Sequence, residues 1–167
     1  NNRTHRKITV IDGLTAYTGG INLADEYINE VDRFGHWKDT AVRLEGEAAN
    51  SFAIMFLQFW LLLEREITPI DAFLSAPGTY SHNGVKAPGF VQPVASDPGK
   101  NVQSIEKGLM ELINNADEYV YMNTPYLVPD NEFLTTLCLA AESGVDVRIT
   151  LPHIPDKKTV FIMSRSF

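Results

Sequence analysis

Residues 118–151, "EYVYMNTPYLVPDNEFLTTLCLAAESGVDVRITL", decide the class of fold. Two runs rich in β-branched and aromatic residues, 118–124 and 145–151, flank a segment at helical spacing, 130–143. Asp130 stands where an N-cap belongs, and Gly144 stands just past the last turn. A helix between two strands is a crossover, and crossovers join parallel strands. The expectation is an α/β layered fold. Tyr126 and Pro129 follow the C-terminal end of the first strand, where α/β folds place ligands. Lining a pocket and plain packing both suit these two residues.

Upstream, "NVQSIEKGLMELINNA" (101–116) predicts another helix. Residues 77–100 hold Pro77, Gly78, Gly84, Pro88, Gly89, Pro93, Pro98 and Gly99, so the domain junction belongs there. We divide the chain into 1–88 and 89–167. "EGEAANSFAIMFLQFWLLLERE" (45–66) predicts a helix whose apolar run, Phe52 to Leu63, is interrupted by Gln58. That run falls short of the about 20 residues needed to cross a bilayer and reads as a core helix. "LADEYINEVDRF" (23–34) predicts a short helix, and "WKDTAVRLEG" (37–46) predicts a strand.

The composition, 44% hydrophobic and 21% charged, is that of a soluble globular protein. The formal net charge of -7 repels nucleic acid and anionic headgroups, so a phosphate site must be a local positive patch. Nucleic acid is not an expected partner. The single cysteine, Cys138, excludes an internal disulfide and reads as a core thiol. The chain opens within a motif, without Met, and stops at "MSRSF"; we read it as part of something longer.

The motif is "THRKITVIDGLTAYTGGIN", residues 4–22. Asp12-Gly13 between two β-prone runs predicts a hairpin with a type I′ turn, which needs positive φ at both central positions. A two-residue turn there pairs Lys7 with Thr18 and His5 with Gly20. His5, Lys7, Thr18, Gly20 and Asn22 then share one face, and Gly20 leaves space in front of His5. A neutral imidazole can attack phosphorus, an ammonium neutralises its non-bridging oxygens, and a carboxamide donates to one of them. No metal is required: lysine is an unusual ligand, and His5 has no partner at ligand spacing. On "HRK" alone, a solvated strand edge is the simpler reading. The added Gly-Gly-x-Asn makes chance a poor explanation.

"HRKITVID" with "GLTAYT" and "GGIN" resembles the HxKx4D…GGxN signature of the phospholipase D superfamily. "HWKDT", "NTPYLVPD" and "SGVDVRITLPHIPDKK" extend the resemblance, in order and spacing, to bacterial cardiolipin synthases. The resemblance implies a phospholipase D-like layered fold, a mixed β-sheet flanked by helices, built as two similar halves that share one site. The present chain would span parts of both. One motif histidine would attack phosphorus to form a phosphatidyl-histidine. The other would serve as general acid and then as base. Donor and acceptor would both be phosphatidylglycerol, the product cardiolipin, and no cofactor would be involved. By position, His5 is then a catalytic histidine, and Lys7 and Asn22 bind phosphate with Gly19 and Gly20. Asp12 is the motif aspartate. Asp39 of "HWKDT" is the candidate for orienting His5; an ordinary strand carboxylate is its other reading. Tyr126 would line the pocket from the second half. The parent would sit at the bacterial inner membrane, while this piece alone would be soluble.

A second complete motif is missing. His36-Trp37-Lys38 mimics its start, but Arg43 stands where Asp is needed. Two residues after His82 stands Gly84, and two after His153 stands Pro155, where a lysine is needed. The isolated chain is therefore expected to be inactive, its site completed by the remainder of the second half. Other superfamily enzymes (a phosphatidylserine synthase, a hydrolase, a nuclease) and a non-catalytic binding module are the alternatives. The lack of Lys/Arg clusters counts against the nuclease.

Overall fold

In the computed structural model, which describes residues 4–63, 69–80, 89–96 and 103–167, the chain divides into two units, Asn1–Pro93 and Val94–Phe167. The division falls inside the breaker-dense stretch. The junction expected after residue 88 borders residues 81–88, which lie outside the described residues, His82 and Gly84 among them.

The first unit is an antiparallel sheet in the order β1 (Ile8–Ile11), β2 (Thr15–Gly19), β3 (Ala41–Glu45), with helix α1 (Ala48–Leu63) against one face. Ile8 and Val10 alternate inward from β1, as a half-buried strand requires. Ala16, Ala49 and Phe52 form the centre of the core, and Ile8, Val10, Leu44 and Met55 pack on it. Both alanines are fully buried. The inward stripe of α1 is Ala49, Phe52, Ala53 and Leu57, while Phe56, Trp60, Leu62 and Leu63 are exposed. The expected core helix is thus buried on one face only. Among the described residues, no helix is long and apolar enough to cross a membrane.

The hairpin turn lies where expected, but the register does not. Asp12 and Gly13 take φ of 54° and 65°, and the Leu14 amide donates to the Ile11 carbonyl at 3.0 Å. The ladder nevertheless pairs Ile8 with Thr18 and Ile11 with Thr15, one residue off the expected pairing. Leu14 is an extra residue on the second strand, a bulge. Its cause is the core: this register puts Ala16 beside Val10 under α1, where the tighter one would have put Tyr17 or Thr15 inside. Thr18 therefore lies on the α1 face, opposite Ile8. Continued one step, the register sets Lys7 across from Gly19, on the outer face; Gly20 and Asn22 follow the end of β2.

The helix expected over 23–34 is also corrected. Only a 3-10 turn forms, Asp25–Tyr27. Asn29 takes φ of 64°, and its carboxamide clamps Trp37, donating to the carbonyl at 2.8 Å and accepting from the amide at 2.6 Å. These bonds replace the helical ones. Tyr27, Phe34 and Trp37 pack together, with ring centroids 5.0–6.3 Å apart. The strand expected over 37–46 shortens to β3.

The second unit holds the parallel strand pair expected over 118–151. β4 (Tyr119–Asn123) and β5 (Asp146–Thr150) pair in parallel, with α3 (Asn131–Glu142) as the crossover. The Asp130 carboxylate accepts from the Phe133 amide at 2.9 Å, and Gly144 turns the chain at φ of 98°. α2 (Ser104–Asn114) packs on α3 around Ile113, Leu137, Ala140 and Val145. A final helix, α4 (Lys158–Ser164), follows. Cys138 is exposed, contrary to expectation. Thr136, Leu137 and Ala140 take the inward face, and Cys138 stands about 100° round the helix from Leu137. Neither sheet of the described residues is itself mixed: one is antiparallel, the other parallel.

Candidate active site

His5 and Lys7 precede β1 by a few residues and alternate with its core-facing Ile8 and Val10. An apolar pair at 8 and 10 thus sends the polar pair at 5 and 7 to the other side of the ribbon. The Lys7 ammonium lies 3.0 Å from His5 Nδ1 and 2.9 Å from Nε2, and donates to the His5 carbonyl at 2.9 Å. His5 is exposed and Lys7 half-buried. The structure therefore brings together an imidazole and an ammonium on an open surface. An anionic ester approaching the ring would meet the ammonium first, which opposes the chain's overall negative field.

The two glycines of "GGIN" hold space for β3 and its approach. A Cβ on Gly19 would stand 2.3 Å from the Thr40 carbonyl and 2.6 Å from Ala41 Cα. A Cβ on Gly20 would stand 2.2 Å from Asp39 Oδ1. The Gly20 amide donates to the Thr40 carbonyl at 3.0 Å, closing the approach. Asp39 is half-buried and held by the Thr40 amide at 2.8 Å and the Trp37 indole N–H at 3.4 Å. Among the described residues no hydrogen bond joins it to His5. Asn22 is half-buried beyond β2 and hydrogen-bonds to none of the described residues. Asp12 is exposed at the turn. Trp37 is the residue that sequence reasoning passed over. The only available signal was its place two residues before Asp39 in an extended stretch.

The hairpin tip is tied down from two sides. Gly13 is buried, and its carbonyl accepts from the Ser75 hydroxyl at 3.0 Å. The Asn50 carboxamide accepts from the Ser75 amide at 3.0 Å and donates to the Ser75 carbonyl at 3.0 Å. Neither residue was singled out by sequence.

Tyr126 belongs to the second unit. It borders a cleft of about 690 Å³, whose lining includes Leu109, Met122, Asn123, Thr124 and Phe133. Its hydroxyl donates to Asp156 at 2.5 Å, and the Lys157 ammonium lies 5.1 Å from its ring centroid. Pro129 lines the same cleft. At its edge, the Glu106 carboxyl hydrogen-bonds Asp130, which raises Glu106 above the usual glutamate range. Asp130 is lowered, first by the Phe133 amide and then by Glu106. Among the described residues no group of His, Cys, Asp and Glu side chains is arranged to hold a metal ion.

Over all 167 residues the chain is 46% identical to an uncharacterized protein of Streptococcus mutans, of which it covers 35%. It is 39% identical to cardiolipin synthase 2 of Bacillus cereus over 167 residues, covering 32% of that protein. Against the cardiolipin synthase of Geobacillus thermodenitrificans it is 40% identical over 169 aligned positions, again covering 32%. The chain thus spans about a third of the length of the curated relatives it matches. No protein-family model matches it, and no solved structure does at a significant level. Along its whole length the chain is homologous to a segment of the bacterial cardiolipin synthases.

Proposed function

We infer that the chain is the part of a bacterial cardiolipin synthase that carries one of two histidine–lysine motifs. The whole enzyme joins two phosphatidylglycerol molecules into cardiolipin and releases glycerol. The observation that carries this reading is the His5–Lys7 pair, ring and ammonium within 3.0 Å, on the outer face of a hairpin in a chain homologous throughout to cardiolipin synthases.

The chemistry is an exchange of phosphodiester partners. One imidazole attacks phosphorus; a P–N bond forms and the P–O bond to glycerol breaks. The departing alkoxide takes a proton from the imidazole of the other motif. A hydroxyl of the second phosphatidylglycerol then returns that proton and attacks phosphorus. A P–O bond replaces the P–N bond, and no oxidant or reductant enters. His5 supplies one of the two imidazoles. Lys7 neutralises the non-bridging oxygens, the term that typically dominates phosphoryl transfer. Asn22 donates its carboxamide to the same oxygens. Asp12 serves the motif as the residue that takes positive φ at the turn. Asp39 orients His5 through its second ring nitrogen. Tyr126 lines a cleft within its own unit that takes part of the lipid, and the motif carried by the remainder of the second half completes the chemistry. The parent acts at the inner membrane, where its substrate resides.

The test is product analysis with the longer protein, purified in detergent and supplied with phosphatidylglycerol. Equimolar cardiolipin and glycerol are expected. Phosphatidate with no cardiolipin would make the enzyme a hydrolase and overturn the reading. A product formed only when serine is added would do the same.

A further inference from the structure

We propose that Asn50 and Ser75 are positioning residues for the hairpin that bears His5 and Lys7, acting by fixing its bulged register. The proposal rests on the reading of that hairpin as the reactive element.

β1 is four residues long, lies at the edge of its sheet, and ends its ladder at Ile8, before Lys7. The core favours this register through Ala16, but only four residues of β1 carry that preference, and a slip of one residue exchanges every neighbour for one of the opposite face. Here a slip would bring Thr18 in place of Gly19 opposite Lys7. It would also withdraw Ala16 from the core. The turn sequence alone does not prevent this, because Asp12-Gly13 suits a tight two-residue hairpin without a bulge.

What distinguishes the bulged turn is its attachment. Three segments converge on Gly13: the turn itself, the first part of α1 through Asn50, and residues 73–75. The Asn50 carboxamide grips the Ser75 backbone as a neighbouring strand would, one donor and one acceptor at 3.0 Å each. Ser75 so held presents its hydroxyl between the Gly13 carbonyl, 3.0 Å away, and Asn50 Oδ1, 3.1 Å away. The fit is close: a Cβ on Gly13 would stand 2.7 Å from the Ser75 amide and 3.0 Å from the Phe73 carbonyl. Next to it the Leu14 carbonyl, at the bulge itself, accepts from the Gly46 amide at 2.8 Å. The extra residue is therefore bonded on the side of Gly46, while Gly13 is bonded on the side of Ser75. Asn50 and Ser75 reach the reactive end through the ribbon and touch no reacting atom.

The experiment reads register and rate separately. In the 167-residue chain, cross-strand NOEs linking Ile8 with Thr18 and Val10 with Ala16 mark the bulged register. N50A is expected to weaken them and to add contacts of Ile8 with Tyr17. S75A, the milder change, is expected to do so in part, and S75T, which keeps the hydroxyl, to restore the native pattern. In the longer protein, N50A should lower kcat by up to about 10²-fold, the scale of an ångström's misplacement, with KM little changed. S75T should keep the wild-type rate. Native NOEs in both N50A and S75A overturn the proposal, and so does a shifted register with an unchanged kcat. Because the NOEs need no substrate, they decide the register even if the lipid reading itself fails in the product analysis.

Discussion

Gly19 and Gly20 are adjacent and small, yet they answer to different neighbours. Gly19 faces backbone, the Thr40 carbonyl and Ala41, which cannot step aside. Gly20 faces a side chain, the Asp39 carboxylate, which can. We predict that G19A destabilises the chain by ~1–3 kcal/mol, the usual cost of overpacking, measured as a lowered urea midpoint. G20A should leave the midpoint nearly unchanged and instead displace Asp39, seen as a shifted Trp37 indole N–H resonance. Equal midpoint losses for the two variants would contradict this division. At this scale the juxtaposition of His5 and Lys7 was legible: their spacing puts them on one face of the ribbon, and the structure sets ring against ammonium. What was not legible is what each glycine makes room for: Gly20, expected to open space in front of His5, makes it for the Asp39 carboxylate. That space is set by β3, whose arrival depends on residues some twenty positions further along.

Among the elements, the α2–α3 contact carries a titration. Glu106 is raised because its carboxyl hydrogen-bonds the Asp130 carboxylate, the N-cap of α3. A raised folded value means stability that is complete below the unfolded glutamate value, about 4.3, and lost as pH rises through the folded one. E106Q keeps a donor to Asp130 at every pH. It should therefore be more stable than wild type at pH 7 and no more stable at about pH 4, compared by urea midpoints. A variant less stable at pH 7 would show that the proton is not shared. In the first unit, F52A should cost about 3–5 kcal/mol, since Phe52 sits at the centre of the core beneath α1; a loss below about 1 kcal/mol would show that the helix does not pack there. The elements whose pattern is self-contained were legible: β4, α3 and β5 follow from periodicity, cap and terminal glycine. Two were not. The 23–34 segment has helical composition, but Asn29 bonds Trp37 rather than its own turn. The hairpin has the right turn residues, but Ala16 must face Ala49 and Phe52. That demand comes from a helix thirty positions away, and it inserts the bulge.

For the whole molecule, the deciding fact is that one complete HxKx4D stands in a chain that spans about a third of its relatives. In the mechanism we propose, two imidazoles divide the labour of phosphodiester exchange, and loss of general acid catalysis alone typically reduces rates by about 10²–10⁴-fold. We predict that the 167-residue chain forms no measurable cardiolipin from phosphatidylglycerol. The direct measurement is the rate of glycerol release by the longer protein and by its H5A variant at matched folding, checked by circular dichroism. H5A is expected to fall by at least about 10³-fold, because removing a nucleophile or its partner acid leaves only binding and electrostatics. A variant that retains a rate within a few-fold of wild type would contradict the assignment of His5, and with it the role of the hairpin.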